Sequence, residues 1–355
     1  MDKRKANGSD LEFSVLGTGC WSFGGGEYWG ERRQKDVNEM VHASVDLGIN
    51  YFDTAEVYNE GRSESSLGEA IQGIPRDKML IGTKVSPSNC YPYTLIKHCH
   101  ASLKRLRTDY IDIYMLHWPT HAHSVRHFTR DPKIIENPPA IGEVMETLKA
   151  LQQAGKIRQI GLSNFGTRLM EDLPELASVA VNQLPYNLFC RAAEYDALSF
   201  CRESGIAVIS YMTLLQGLLG DTYSSLQDIP ALQRRTRHFN AKNSAESRHG
   251  EPGVEDEINE ALKGIRKIGK ETGLSMAALA IKWILLNPAI TCSLVGSRNV
   301  RHLELNVQSA EGTLSQQIKD ELDRITLSIK EKLGNHLDYY ENAVNDRTLG
   351  GQKIL

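Results

Sequence analysis

Short apolar runs along the chain alternate with longer segments in which apolar residues recur every three or four positions. The short runs indicate buried strands and the longer segments indicate amphipathic helices, because the two structures place side chains on one face at different intervals. The sequence predicts eight strands, at 15–21, 49–53, 79–84, 111–117, 157–163, 179–183, 207–211 and 291–296. Because strands that alternate with helices favour a parallel sheet, we predict an α/β fold, a (β/α)8 TIM barrel.

The segments between the strands carry helical patterns with recognisable ends. They lie at 35–48, 93–106, 140–155, 193–205 and 275–288. The first pattern ends at Gly48, and glycine readily adopts the backbone conformation that terminates helices. The last begins at Ser275, a residue type that caps helix N-termini, and stops before Pro288, which disfavours a helical residue ahead of it.

The chain is longer than its predicted barrel. A (β/α)8 barrel typically needs about 250 residues, whereas this chain has 355. We therefore predict two inserted loops, at 120–139 after strand four and at 221–253 after strand seven. Both would lie on the C-terminal face of the barrel, where such barrels build their active sites.

The predicted domain organisation is a single domain over 1–355, with the barrel at about 11–330 and a C-terminal extension at 331–355. Within this organisation, a helix over 315–330 and a polar tail over 334–355 are expected to extend past the barrel. Two placements of the tail stay open, over the pocket or on the outside of the barrel.

Composition narrows the range of partners and compartments. The net charge is −3 and 41% of the residues are apolar, so neither nucleic acid nor an anionic membrane surface is expected as a partner. No apolar run is long enough to cross a bilayer, and the first ten residues lack the apolar core of a secretory signal. The six cysteines are scattered without a CxxC pair, which predicts free thiols in a reducing cytoplasm and no metal site.

Six consecutive predicted strands end in a polar or ionisable residue. In strand order these are Asp53, Lys84, His117, the pair Ser163 and Asn164, Gln183, and Tyr211. One such ending has a simple structural explanation, since parallel strands leave the core at their C-termini. Six in succession predict that these side chains surround one mouth, as in barrels that combine several strand ends in one active site.

Lysine is rarely buried without a partner, and Asp53 on the neighbouring strand is the predicted partner of Lys84. Tyr58 follows Asp53 by five residues. We expect the fixed charge of Lys84 to lower the Tyr58 pKa below its ordinary value of about 10, which would ease proton donation near neutral pH. With His117 as a hydrogen-bond partner for a substrate oxygen, the four residues predict a site that donates a proton to a carbonyl.

Four motifs now identify a resemblance. They are GINYFDTAEVYNEGRSESSLGEAI, TDYIDIYMLHWP, GKIRQIGLSNF and LVGSRNVRHLELN. With these motifs in this order, the chain resembles the aldo-keto reductases over roughly residues 11–330. The resemblance implies a (β/α)8 barrel that binds NADP(H) or NAD(H) without a Rossmann fold and reduces carbonyls reversibly. It also implies that the family's catalytic tetrad falls on Asp53, Tyr58, Lys84 and His117, with Tyr58 as general acid.

The resemblance implies a cofactor site and a substrate site as well. The cofactor residues would be Gly19, Cys20, Trp21, Asp53, Ser163, Asn164, Gln183, Tyr211, Met212, Leu214, Gln216, Gly217, Gly296, Ser297, Arg298, His302 and Asn306. The substrate residues would be Trp21, Tyr58, His117 and Trp118. Among them, Ser163, Asn164 and Gln183 match positions that hold the nicotinamide carboxamide, because an amide needs both donors and acceptors. Tyr211 matches the residue that stacks on the nicotinamide ring.

The chain departs from the family pattern at a few cofactor positions. Cys20 stands where threonine is frequent, Met212 begins a pair that is often Ser-Pro, and His302 stands where Arg or Gln is frequent near the 2′-phosphate. Because Arg298 can supply the charge that a 2′-phosphate needs, we predict NADP(H), with NAD(H) as the alternative.

Two other classes of function stay open on the sequence alone. One is a nicotinamide-binding, redox-sensing partner protein with slow turnover, and the other is a barrel lyase or isomerase that needs no nicotinamide. The predicted small-molecule partner is a carbonyl compound or its alcohol, and the oligomeric state stays open.

Two loops receive separate predictions. The loop at 120–139 is expected to be solvated, with the alternative that Arg126 and Arg130 form a polar lid over a hydroxylated or acidic substrate. The glycine-rich segment 24–30 is expected to be a flexible loop at the rim of the pocket.

Overall fold

The computed structural model describes residues 1–6 and 9–349. Its strands, in chain order, are β1 (Lys3–Lys5), β2 (Glu12–Ser14), β3 (Leu16–Gly19), β4 (Tyr51–Asp53), β5 (Leu80–Val85), β6 (Ile111–Leu116), β7 (Ile157–Ser163), β8 (Val179–Pro185), β9 (Ala207–Tyr211) and β10 (Ile290–Val295). The last eight close into a parallel barrel in the order β10-β3-β4-β5-β6-β7-β8-β9. The predicted (β/α)8 barrel is therefore confirmed.

The helices of the described residues connect these strands or follow them. They are α1 (Gln34–Asp46), α2 (Arg62–Ala70), α3 (Pro92–Leu106), α4 (Ala122–Val125), α5 (Pro132–Glu136), α6 (Ile141–Gln153), α7 (Thr167–Glu171), α8 (Ala197–Glu203), α9 (Glu255–Thr272), α10 (Met276–Leu285), α11 (Val300–Ser309), α12 (Gln316–Ile325) and α13 (Leu327–Leu333). Ser275 caps α10 as predicted, since its hydroxyl accepts from the Ala278 amide at 3.1 Å.

Each observed barrel strand covers the middle of a predicted strand, but several begin or end at other residues than predicted. β7 and β9 coincide with the predicted ranges. β3 ends at Gly19, before Cys20 and Trp21, and the Cys20 amide makes the last bond to β4, to the carbonyl oxygen of Asp53. At the centre of the barrel Gly82 is required by packing, since a Cβ there would lie 2.2 Å from the hydroxyl of Tyr51.

A short antiparallel hairpin of β1 and β2 closes the N-terminal end of the barrel and was not predicted. Its register pairs Lys3 with Ser14, and the Phe13 ring packs edge-on against Tyr51 at 5.2 Å. Arg4 donates to the carbonyl oxygens of Leu285 and Ile290. Strands of three residues with charged side chains carry too little periodicity to be recognised from sequence.

The region after the barrel differs from the predicted helix at 315–330. The chain forms two helices, α12 and α13, with a break at Thr326. The Thr326 hydroxyl donates to the Leu322 carbonyl oxygen at 2.8 Å and accepts from Arg191 at 3.0 Å. A β-branched residue that bonds to its own preceding turn competes with the regular helix, which accounts for the break.

The tail folds back over the mouth of the barrel, which decides between the two placements left open by the sequence. Its described part, 334–349, contacts the loop at 120–139. His121 Nε2 lies 2.9 Å from the Arg347 carbonyl oxygen, and Arg126 donates to Asn345 at 2.8 Å. The expectation of a solvated loop was therefore wrong for its first part, on which the tail docks, whereas 130–133 are exposed. Residues 350–355 lie outside the described residues.

Both inserted loops lie where the sequence predicts them. In the one after β9, His238 and Phe239 are buried, and the Arg237 amide donates to the Tyr339 carbonyl oxygen at 2.7 Å, so this loop also contacts the tail. The extent of the single domain, 1–355, stays a prediction.

Over residues 1–6 and 9–349, none of the helices could span a bilayer, and no group of side chains is suited to a metal ion. The six cysteines are buried free thiols.

Candidate active site

A buried ion pair forms the base of the mouth. The Lys84 Nζ lies 2.9 and 2.7 Å from the two carboxylate oxygens of Asp53 and also donates to the Thr54 carbonyl oxygen at 2.8 Å. β4 and β5 are adjacent and parallel, so the two strand ends lie side by side. Burial alone would lower the pKa of Lys84, but the Asp53 carboxylate and the Tyr58 phenol outweigh it and hold that pKa above its usual value. Lys84 is therefore a fixed cation inside the barrel.

Tyr58 lies directly above this cation. Its hydroxyl is 3.3 Å from the Lys84 Nζ, and the ring stacks on Trp21 with centroids 5.7 Å apart. Burial raises the pKa of Tyr58 above its ordinary value, and the opposing effect of Lys84 only partly compensates. The expected lowering was therefore wrong in direction, because the desolvation of the phenol could not be judged from the sequence. The geometry keeps Tyr58 protonated at neutral pH.

His117 faces Tyr58 across the mouth. The two ring centroids are 5.6 Å apart at a near-perpendicular angle. Burial lowers the pKa of His117 well below its ordinary value, and the nearby cations of Lys84 and Arg347 add to the effect. The imidazole is therefore neutral and has one N–H to donate. Its Nδ1 is buried and has no hydrogen-bond partner in the described part of the chain.

The polar ends of β7, β8 and β9 are joined to this group by hydrogen bonds. The Gln183 Nε2 donates to an Asp53 carboxylate oxygen at 2.7 Å, which leaves the Gln183 amide oxygen to accept from a ligand. The Asn164 Nδ2 donates to the His117 carbonyl oxygen and to the Ser163 hydroxyl, each at 3.0 Å. Tyr211 donates to the Asn164 side-chain oxygen at 2.7 Å. The residues predicted to hold the carboxamide thus lie against the predicted tetrad.

The remaining predicted cofactor residues continue from this point around the rim. Gly19 ends β3, and Met212, Leu214, Gln216 and Gly217 form the turn after β9. Gln216 has a φ of 55° and Met212 a φ of 60°, a left-handed backbone that is uncommon outside glycine and that clusters at functional sites.

The last of the predicted cofactor residues lie at the start of α11. Gly296, Arg298 and His302 are exposed, Asn306 donates to the Ser297 hydroxyl at 3.1 Å, and a Cβ on Gly296 would meet open space. An exposed arginine beside free amides at a helix N-terminus suits the phosphate end of a dinucleotide. The residues present therefore fit the predicted cofactor, and its contacts stay a prediction.

A series of side chains lies around the mouth above Tyr58, and we call it the mouth ring. Its members, in order around the mouth, are Tyr58, Trp21, Tyr28, Arg235, Tyr340, Arg347, Trp118 and His117. Ring centroids of Trp21 and Tyr28 are 4.9 Å apart, and the Arg347 guanidinium carbon lies 3.6 Å from the Trp118 ring centroid.

Half of the residues in the mouth ring were not predicted from the sequence as site residues. Tyr28, Arg235, Tyr340 and Arg347 belong to loops and to the tail, and no periodicity or motif marks them. Tyr28 also bonds Gln216, so the glycine-rich segment 24–30 is packed across the rim, which is at variance with the expectation of a flexible loop. Trp29 packs against both Trp21 and Tyr28.

Arg347 is held in the mouth ring by a buried partner. Its guanidinium bonds both carboxylate oxygens of Asp338, at 2.6 and 2.8 Å, and both residues are buried. Burial would lower the pKa of Arg347, but Asp338 outweighs it and the pKa is raised. The pair joins two points of the tail by a bidentate, charge-assisted contact and so holds the Arg347 side chain against Trp118.

Comparison with known proteins gives consistent results. The model of the aldo/keto reductase family matches residues 15–326. The aldo-keto reductase YhdN of Bacillus subtilis is 30% identical over 328 residues, which cover 89% of this chain and 90% of the relative. The NADH-specific methylglyoxal reductase of Escherichia coli is 28% identical over 351 residues, covering 91% and 100%. A solved aldo/keto reductase from Klebsiella pneumoniae, in complex with NADP and acetate, superimposes with a TM-score of 0.67 and 26% identity over 92% of this chain and 96% of that one.

Proposed function

The chain belongs to the aldo/keto reductase family and is an NAD(P)H-dependent oxidoreductase, and from this premise we propose that it reduces an aldehyde, ketone or sugar-type carbonyl with Tyr58 as general acid. The observation that carries the proposal is the hydrogen-bonded line from Asp53 through Lys84 to the Tyr58 hydroxyl. In the reverse direction the same residues would oxidise the matching alcohol.

In the proposed reaction the chain's residues handle the proton. When bound, the reduced nicotinamide would supply the hydride that the carbonyl carbon needs. As the carbonyl π-bond breaks, Tyr58 gives its proton to the oxygen, and the product is the alcohol. Tyr58 is left as a phenolate beside the Lys84 cation, where the opposite charge stabilises it until solvent returns a proton. The high Tyr58 pKa in the free protein supports this role, because the group enters the reaction protonated.

His117 is proposed to orient the carbonyl. A neutral imidazole that donates one hydrogen bond polarises the oxygen without competing for the proton. Trp21 and Trp118 flank the tetrad and would contact the substrate.

NADP(H) is the favoured cofactor, with NAD(H) as the alternative. The exposed Arg298 next to the α11 N-terminus supports a 2′-phosphate contact. The name of the Klebsiella structure includes NADP, whereas the Escherichia coli relative is named for NADH, so the preference needs a measurement. Titration of the wild-type protein with each dinucleotide, followed by tryptophan fluorescence, gives it directly. Equal affinities for the two dinucleotides would contradict the role of Arg298 in selecting NADP(H). If neither dinucleotide bound, a barrel lyase or isomerase would be favoured.

Replacement of Tyr58 tests the catalytic assignment. Tyr58→Phe removes the proton donor and keeps the ring on Trp21, so we expect turnover of a neutral aldehyde to fall by about 10²–10⁴-fold with dinucleotide affinity nearly unchanged. Single-turnover kinetics and the fluorescence titration measure the two quantities separately. Turnover near the wild-type value in this variant would contradict the assignment.

A further inference from the structure

We propose that Arg235 is a specificity-determining residue that selects carbonyl substrates carrying a carboxylate or another anionic group. This inference rests on the proposed reductase function and deepens it by naming the class of substrate. Arg235 belongs to the inserted loop 221–253 and is neither a member of the tetrad nor one of the predicted cofactor residues.

Arg235 is held between two aromatic rings. Its guanidinium carbon lies 5.1 Å from the Tyr28 ring centroid and 5.3 Å from that of Tyr340. Stacking on tyrosine faces fixes the plane of a guanidinium and leaves its N–H groups directed outward along the edges. The side chain is partly exposed, so a ligand in the mouth has access to it.

In the part of the chain that the structure describes, no acceptor pairs with those N–H groups. Among the described residues, the Arg235 side chain forms no ion pair with a carboxylate, and its Nε is buried without a hydrogen-bond partner. A guanidinium whose donors are not used by the protein matches the planar, bidentate geometry of a carboxylate.

Two neighbouring cations at the mouth are already neutralised. Lys84 is paired with Asp53, and Arg347 is paired with Asp338 through two hydrogen bonds. Arg248, beside the tail, is paired with Glu341. Arg235 therefore leaves the mouth ring with one positive charge that lacks a partner in the described part of the chain.

The walls between this charge and the reacting atoms are aromatic. Tyr28 stacks on Trp21, and Trp21 stacks on Tyr58. A substrate that reaches from the Tyr58 hydroxyl to Arg235 would thus have a planar or apolar body between its carbonyl and its anionic group. We expect a preference for acidic aldehydes or ketones of this shape over neutral ones.

A matched pair of probe substrates tests the proposal. 4-Formylbenzoate and its methyl ester share the benzaldehyde framework and differ in charge. In the wild type we expect a lower KM for the acid. Arg235→Gln should raise the KM of the acid about 10- to 100-fold, the scale of a charge-assisted contact, with little change for the ester or in kcat. Arg235→Lys, which keeps the charge, should recover part of the loss.

Two controls separate this result from other causes. Arg130→Gln removes an exposed arginine of the loop at 120–139 and should change neither KM, which also tests the sequence-based hypothesis of an acidic-substrate lid there. The dissociation constant for NADPH, measured on each variant, should stay constant. An Arg235→Gln protein with weakened NADPH binding, or with equal KM changes for acid and ester, would overturn the proposal. Failure of the wild type to bind NADPH or to reduce the ester would instead overturn the proposed function.

Discussion

At the scale of single residues, the site depends on one charge that the fold keeps fixed. Lys84 is fully buried. Its ammonium has three hydrogen-bond partners, namely the Asp53 carboxylate, the Thr54 carbonyl oxygen and the Tyr58 hydroxyl. Each partner either neutralises the charge or solvates it in place of water, which is the condition for a stable buried cation. The residue is charged because Asp53 is present.

Replacing the carboxylate should therefore make the reaction sensitive to pH. In Asp53→Asn the pKa of Lys84 loses the partner that raises it, and burial then lowers it. As the pH rises through that lowered pKa, Lys84 becomes neutral and no longer stabilises the Tyr58 phenolate. We expect kcat about 10- to 100-fold below wild type, with a further fall toward alkaline pH that the wild type lacks between pH 6 and 9.

The pH dependence of kcat, measured with a neutral aldehyde, checks this expectation. Asp36→Asn on α1, where Asp36 pairs with Arg33 at the surface, is the matched control and should leave the profile unchanged. A variant at position 53 that is slower but shows the wild-type profile would argue against the role of the ion pair.

The proximity of the four residues of the proposed tetrad could be predicted from sequence, and their environment could not. Asp53, Lys84 and His117 come at strand ends, and the barrel brings strand ends together. The protonation behaviour of Tyr58 depends on how much water Trp21 and the tail exclude, and that burial arises from segments distant in the sequence.

At the scale of elements, the tail is the least predictable part of the site. Its sequence is polar and has no helical or strand periodicity over most of its length, because it docks through an individual ion pair and hydrogen bonds. Such contacts are specified by side-chain position in three dimensions. The barrel strands were recognised because burial on both faces makes them continuous apolar runs. The three-residue strands of the hairpin are too short to form such a run.

Loss of Asp338 should release the tail without unfolding the barrel. Asp338→Asn leaves the Arg347 guanidinium buried without its carboxylate, a defect of about 3–5 kcal/mol. The tail can relieve that defect by opening. We expect faster hydrogen exchange in peptides covering 336–349, with exchange in the barrel strands unchanged.

Hydrogen exchange followed by mass spectrometry measures this response. Glu321→Gln on α12 breaks the exposed pair with Arg324 and should have no effect, since exposed pairs contribute little. Uniformly faster exchange over the whole chain would show that the pair supports the barrel itself.

At the scale of the whole molecule, several histidines are folded into places that favour their neutral form. Burial lowers the pKa of His238 to about 4, and lowers that of His127 to about 3. His238 stacks on Tyr339 and lies 3.0 Å from the Phe189 carbonyl oxygen, so the inserted loop after β9 is tied to the tail through a neutral ring.

These histidines predict a protein that loses stability in mild acid. The unfolded chain binds the His238 proton below pH about 6.5, whereas the folded chain does so only near pH 4. Stability is therefore full above pH 6.5 and falls as the pH drops toward 4, by about 3 kcal/mol from this residue. His238→Gln should flatten the slope over that window.

Urea unfolding at several pH values between 7.5 and 4.5 gives the slope. His42→Gln replaces an exposed histidine of α1 and should leave the wild-type slope unchanged. If the slope of His238→Gln matched the wild type, proton uptake by His238 on unfolding would be excluded as a source of the acid lability.

The origin of the mouth-ring residues has a consequence for how the substrate selectivity of such an enzyme evolves. Tyr58 and His117 lie beside the barrel strands, but Arg235 and Arg347 come from an inserted loop and from the tail. A mutation, insertion or exchange in either segment can alter which molecules are accepted while the proposed proton donor keeps its partners. Substrate selectivity in this architecture can therefore evolve, or be engineered, through changes in the rim segments that leave the residues inside the barrel unchanged.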